Sequence, residues 1–166
     1  MKRIATAIVL LAALLLAYGL WQKWFSSDES IIRRQLRQLA ADASFPPDEG
    51  LLARLGRANR LIGFFSHDVT LHLTGVPMEI AEINGRAQLR QAILSAQAGL
   101  HQTRVRFPDI QIDLNQNHES ALVDLTVLAD VDAEKDAVVQ ELNFVLRKVD
   151  GKWLIKDVES IETLRK

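Results

Sequence analysis

The chain opens on an unbroken apolar stretch and then changes its rhythm several times. Residues 4–21 carry no charge, and as a helix these eighteen residues rise about 27 Å, close to the hydrocarbon thickness of a bilayer. Lys2 and Arg3 precede the run, while Tyr18, Trp21 and Trp24 close it, where amphipathic rings favour the headgroup level. The pattern predicts a retained single-pass anchor over residues 1–25. A cleaved secretory signal, with Ala17 and Gly19 at the recognition positions, is the alternative.

Residues 26–30 are polar and predict a short linker to one domain over 31–166. Ile32, Leu36, Leu39 and Ala43 then recur at helical spacing. Phe45-Pro46-Pro47 stops that helix, because proline lacks the donor and restricts its predecessor. A second helix is expected on Leu51, Leu55, Ala58, Ile62 and Phe65. From His67 to Leu73 the period shortens to two, with Val69, Leu71 and Leu73 on one face and Asp68, Thr70 and His72 on the other. Gly75-Val76-Pro77 predicts a turn and Met78–Ile83 a returning strand. Asn84 is placed to cap a third helix carrying Leu89, Ile93, Ala96 and Leu100.

The rest alternates. Thr103–Leu114 predicts a strand bent at Pro108, where the apolar parity switches from Val105 and Phe107 to Ile110, Ile112 and Leu114, as a bulge requires. Ala121–Val131 keeps one apolar face throughout. Val138–Val149 and Lys152–Ile161 flank Asp150-Gly151, the signature of a two-residue type I′ hairpin.

Parity also sorts the chemistry. Ile110, Ile112, Leu114, Val123, Leu125, Val127, Leu142, Phe144 and Leu146 form an apolar inward set, while Gln111, Asp113, Asp124, Thr126, Glu141, Asn143 and Arg147 face water. One exception stands out. Counting back through the hairpin sets Lys148 opposite Trp153, Leu146 opposite Ile155, and Phe144 opposite Asp157. That register turns Asp157 and Glu159 inward beside Phe144, where desolvation would raise a carboxyl pKa and make a candidate pocket base. A bulge that re-aims the strand is the alternative.

Charge changes the picture at one point. The net charge is −1, yet residues 33–106 hold ten arginines, no lysine and six acids, whereas 107–166 hold seven basic and thirteen acidic residues. Arg33, Arg34 and Arg37 on the first helix and Arg54, Arg57 and Arg60 on the second define a basic contact face. It is suited to anionic lipid or an acidic protein partner, or it is a solvated helix surface. No aromatic platform interleaves these arginines, so nucleic acid is not expected. The absence of cysteine excludes thiol catalysis and a disulfide framework. His67 and His72 fall on opposite faces of one strand, and His101 and His118 near turns, so no metal and no cofactor is expected.

Three local motifs resemble the nuclear transport factor 2-like (SnoaL-like, cystatin-like) superfamily. Phe64-Phe65-Ser66-His67-Asp68-Val69 resembles its helix-to-first-strand junction. Ile83-Asn84-Gly85-Arg86 with Leu89 and Ile93 resembles the entry to its third helix, and Asp150-Gly151-Lys152-Trp153-Leu154-Ile155 its final hairpin. The resemblance implies an α+β fold, a curved antiparallel sheet wrapped on about three helices into a pocketed cone. Its members range from isomerases and dehydratases to transport adaptors and envelope components, so fold implies little about activity. The phenol used by its steroid isomerases is missing, because Tyr18 is the only tyrosine. The expectation is therefore a non-catalytic module anchored in a cell inner membrane through residues 4–21. Its domain would be periplasmic, an accessory or component of an envelope complex, with a homodimer left open. The alternative is a small-molecule binder or enzyme that uses the pocket through Asp157.

Overall fold

The computed structural model describes residues 28–73, 82–132 and 137–161. The chain divides into two compact units, Met1–Ile32 and Arg33–Lys166. Of the first, only residues 28–32 are described, and they are helical. The predicted anchor, the Gly75-Val76-Pro77 turn and most of the strand expected at Met78–Ile83 lie outside the described residues. Among the described residues no helix is long and apolar enough to cross a membrane.

The described residues form three helices and one six-stranded sheet. Helix α1 covers residues 28–43 of the described chain, so residues 28–30, read from sequence as linker, are helical. Helix α2 is Leu51–Gly63 and α3 is Gly85–Gly99. The strands are β1 (Phe65–His72), β2 (Glu82–Asn84), β3 (Thr103–Leu114), β4 (Ser120–Val131), β5 (Val138–Val149) and β6 (Lys152–Ser160), in the order β2-β1-β6-β5-β4-β3. The sheet is mixed rather than wholly antiparallel. After the hairpin, β6 inserts between β5 and β1 and runs parallel to β1.

Alternation delivers the core. Leu36, Leu146, Trp153, Ile155, Val69 and Val123 are the largest completely buried side chains of this unit. Leu125, Phe144 and Val158 are buried with them. Each such side chain contributes about 1.5–3 kcal/mol relative to leaving it in water. Asp150 and Gly151 both adopt positive φ, 50° and 76°, as a type I′ turn demands. The Pro108 bulge is also present, since the β3–β4 register shifts between Arg106 and Asp109.

A second bulge corrects the inward placement of Asp157 and Glu159. The first two expected pairs of the hairpin, Lys148 with Trp153 and Leu146 with Ile155, are observed. The third is not. The register shifts between Val145 and Leu146, so that Phe144 pairs with Val158 and Asp157 with Val145. Lys156 is the extra residue. By absorbing one position it keeps Val158 in the core and turns Asp157 and Glu159 to the opposite face, half-buried and exposed respectively.

Candidate functional site

Three places bear the residues that could act: the arginines of α1 and α2, the corner where α1 ends against β3, and the paired bulges of β1 and β6.

Helix α2 is turned from its expected orientation. The sequence pattern put Leu51, Leu55, Ala58 and Ile62 inward. Of that set Ala58 is buried as expected and Ile62 is half-buried, but Leu51 and Leu55 are exposed. Leu61 is the other buried residue, with Arg54 and Arg57 on the same side, and Phe65, read as helical, is the buried first residue of β1. Arg54 donates to the carbonyls of Gln97 at 2.7 Å and Leu100 at 3.3 Å, satisfying the carbonyl end of α3. Its guanidinium also lies 5.1 Å from the centre of the Phe45 ring. Arg57 forms a two-pronged ion pair with Glu49, the shortest contact being 2.6 Å, and donates to the carbonyl of Ala41 at 3.1 Å. The hydrogen bond to Glu49 raises the Arg57 pKa. Arg60 pairs at 2.9 Å with Asp42, a buried carboxylate that also accepts from Gln38.

The candidate basic face is therefore split. Arg54 and Arg57 are half-buried ties, and Arg60, its side chain 56% exposed, is tied to Asp42 from the surface. Together they fasten α2 to α1, to its own leading loop and to α3. Arg33 donates to the carbonyl of Ile110 at 3.2 Å. Arg34 and Arg37 are exposed and remain as cations able to meet a partner.

With its arginines engaged, α2 shows leucine to the outside. Leu51 and Leu52 are 72% and 85% exposed, and Leu55 is 40% exposed. They follow Pro46 and Pro47, which are exposed as well. This is the apolar tip of the α1–α2 connection.

Behind the tip lies a cleft of about 450 Å³ between residues 44–47 and the start of β3, bordered by Arg104 and Asp130. A single bridge between Phe45 and Thr103 forms its floor. Its hydroxyls are committed to the backbone. Ser44 Oγ donates to the Ala40 carbonyl at 2.8 Å and accepts the Val105 amide at 2.8 Å. Thr103 Oγ1 donates to the Ala43 carbonyl at 2.7 Å. Asp130 accepts from Arg106 at 3.2 Å. A nucleophile needs a base within hydrogen-bond reach, and among the described residues both hydroxyls donate to backbone carbonyls rather than to a base.

The third place was not foreseen. Lys156, the bulged residue of β6, reaches across to the Asp68 carboxylate and, at 3.3 Å, to the Asp68 carbonyl. Ser66 Oγ donates to the other carboxylate oxygen at 2.9 Å. The Lys156 and Ser66 hydrogen bonds lower the Asp68 pKa to about 2. The β1–β6 register shifts between Phe65 and Thr70, so this pair pins two irregular strand segments together. Asp157 lies between Thr70 and Val145, and Glu159 between His72 and Asn143. Phe144 is buried apart from both, so the structure does not bring the three pocket candidates together.

No family model matches the chain, and no curated protein does. Solved structures do. A nuclear transport factor 2-like protein with a cystatin-like fold from Novosphingobium aromaticivorans aligns over 87% of this chain and 88% of its own, with a TM-score of 0.67 and 13% identity. A candidate scytalone dehydratase from the same organism aligns over 81% and 86%, at 0.59 and 18%. A nuclear transport factor 2-like protein of unknown function from Pseudomonas putida aligns over 80% and 90%, at 0.57 and 11%. The domain has the cystatin-like α+β fold of nuclear transport factor 2-like proteins, with six strands and three helices among its described residues. At these identities the likeness is one of fold, and fold does not carry activity.

Proposed function

We propose that this chain is a non-catalytic binding or assembly module, held by residues 4–21 in a bacterial-type inner membrane with its domain outside the cytoplasm. The observation that carries the non-catalytic half is the β6 bulge at Lys156. It turns Asp157 and Glu159 away from the apolar face of the sheet, where a pocket base would have to stand. The committed hydroxyls of Ser44 and Thr103 support the same reading. The anchor rests on the charge-free run, its flanking Lys2 and Arg3 and its closing aromatic residues. Contact with anionic headgroups or an acidic component of an envelope complex falls to Arg34 and Arg37. Near a charged surface each is worth about 1 kcal/mol.

A reporter active only outside the cytoplasm, fused after Lys166, tests the topology and is expected to be active; a silent fusion would contradict it. Complementation of a deletion strain at matched protein levels tests the rest. Asp157→Asn and Glu159→Gln are expected to preserve the role, and Arg34→Glu with Arg37→Glu to weaken it. A dead Asp157→Asn variant beside a healthy arginine variant would restore the enzyme reading. Reversal of Arg54, Arg57 or Arg60 is unsuited to this purpose, because it would report on folding.

A further inference from the structure

The cleft between residues 44–47 and the start of β3 carries two uncommitted polar side chains. Arg104 is exposed, and neither its guanidinium nor the carboxamide of Gln102 has a hydrogen-bond or ion-pair partner among the described residues. Asp130 stands opposite Arg104 in the β3–β4 ladder, yet its carboxylate is taken by Arg106 at 3.2 Å. Asp132, just past β4, accepts the amides of His101 and Gln102 at 2.6 and 2.9 Å. Beyond the committed hydroxyls, the lining is apolar: Phe45 is buried, and Pro46 and Pro47 offer ring carbons and no N–H. We propose that this cleft binds a small monocarboxylate with a flat apolar body, its carboxylate held by Arg104 and Gln102 and its body set against the two prolines.

Shape selects the size of the ligand. The cleft's volume of about 450 Å³ falls within the ~300–1,000 Å³ of small-molecule sites. An extended peptide is disfavoured, because the main-chain groups of β3 that it would pair with are already engaged. Thr103 and Phe45 exchange both of their main-chain bonds, at 3.0 and 2.9 Å, and the Val105 amide donates to Ser44 Oγ at 2.8 Å. Charge selects the head group. A guanidinium presents a planar fork that matches a carboxylate in a two-pronged bond. Arg104, Arg106 and Asp130 together leave one positive charge, which suits one negative charge; a phosphate dianion would meet Asp130 with too little to balance it. Such a site does not depend on how the chain meets a membrane.

With Arg104 exposed, water competes for the ion pair, so a measurement sensitive to weak binding is needed. Fluorine NMR line broadening of para-fluorobenzoate supplies it, with the full-length chain in mild detergent and protein-free micelles as the blank. Broadening beyond the blank is expected for para-fluorobenzoate and not for para-fluorobenzamide, its neutral isostere. Arg104→Gln should weaken binding about tenfold or more, as loss of a charge-assisted pair does, and Gln102→Ala about threefold. Arg147→Gln, which removes another exposed arginine, on β5, should leave binding unchanged.

Equal broadening of the benzoate and the benzamide, or broadening of neither, overturns the site. So does an Arg104→Gln chain that binds as the unaltered one does. Equal losses at 104 and 147 would assign the signal to general positive charge, and displacement by inorganic phosphate at matched concentration would assign it to any small anion. Either result overturns the carboxylate site as well.

Discussion

The β5–β6 hairpin and helix α2 solve the same packing problem in opposite ways. In the middle of the hairpin, apolar side chains turn in and polar ones turn out: Phe144, Leu146, Trp153, Ile155 and Val158 are buried and Glu159 is exposed. Val138, Val139 and Val149 at the ends of β5 are exposed too. In α2 the guanidinium groups of Arg54 and Arg57 bond inside the protein, while Leu51 and Leu52 stand in water. The hairpin is held by non-directional burial, which tolerates a shift of one residue if a bulge absorbs it. Helix α2 is held at its start by directional bonds to particular carbonyls and carboxylates. That leaves Leu51 and Leu52 at the surface.

The largest effect that could break this contrast lies in the hairpin. Phe144→Ala is expected to cost about 3–5 kcal/mol, as large-to-small core changes do, in denaturant melts of the full chain in mild detergent. A loss below about 1 kcal/mol would mean that burial does not carry the hairpin. Arg57→Ala should cost about 2 kcal/mol in the same melts. It removes a charged hydrogen bond and leaves Glu49, whose side chain is only 10% exposed, without its partner. Leu52→Asp should change stability by less than about 0.5 kcal/mol, as surface substitutions do. A loss near that of a core leucine would place Leu52 inside and reverse the account of α2.

The smallest effect is a pH dependence. The folded-state pKa of Asp68 lies below its ordinary value, at about 2, so its contribution to stability is present above the unfolded value. It is lost as pH falls from about 4 through about 2. Asp68→Asn should flatten the acid limb of the stability curve over that interval and leave it unchanged at neutral pH in slope. Since the side chain is largely exposed, screening keeps the effect slight. An unchanged acid limb would remove the Lys156 tie from the account.

How much of this was legible depended on whether the signal was local. Asp150-Gly151 announces its turn because only two positive-φ residues fit between strands of that twist, and both are observed at positive φ. Pro108 announces the β3 bulge because it interrupts the ladder and the apolar parity changes across it. The β6 bulge carried the same parity signal, since Trp153 and Ile155 are followed by Val158 rather than by an apolar residue at 157. It lacked a proline to mark it, and simple counting therefore set Asp157 against Phe144. The orientation of α2 was legible only in part, since Ala58 is buried as the stripe requires while Leu51 and Leu55 are exposed. Leu51, Leu55, Ala58 and Ile62 form a regular stripe, and the partners that override it are set by the fold: Asp42 on α1, the carbonyls of Gln97 and Leu100 at the end of α3, and Glu49 in the leading loop. The cleft between residues 44–47 and β3 was hidden for the same reason, because its two walls are some sixty residues apart in the chain.

The central claim is that the chain acts through contacts made outside its packed interior, and photo-crosslinking in intact membranes tests it most directly. A photoreactive side chain would replace Arg37 in one full-length variant and Asp157 in another, at matched levels. The account predicts lipid or protein adducts from position 37 and no specific adduct from position 157. A discrete adduct from position 157, with position 37 giving only solvent products, would contradict it.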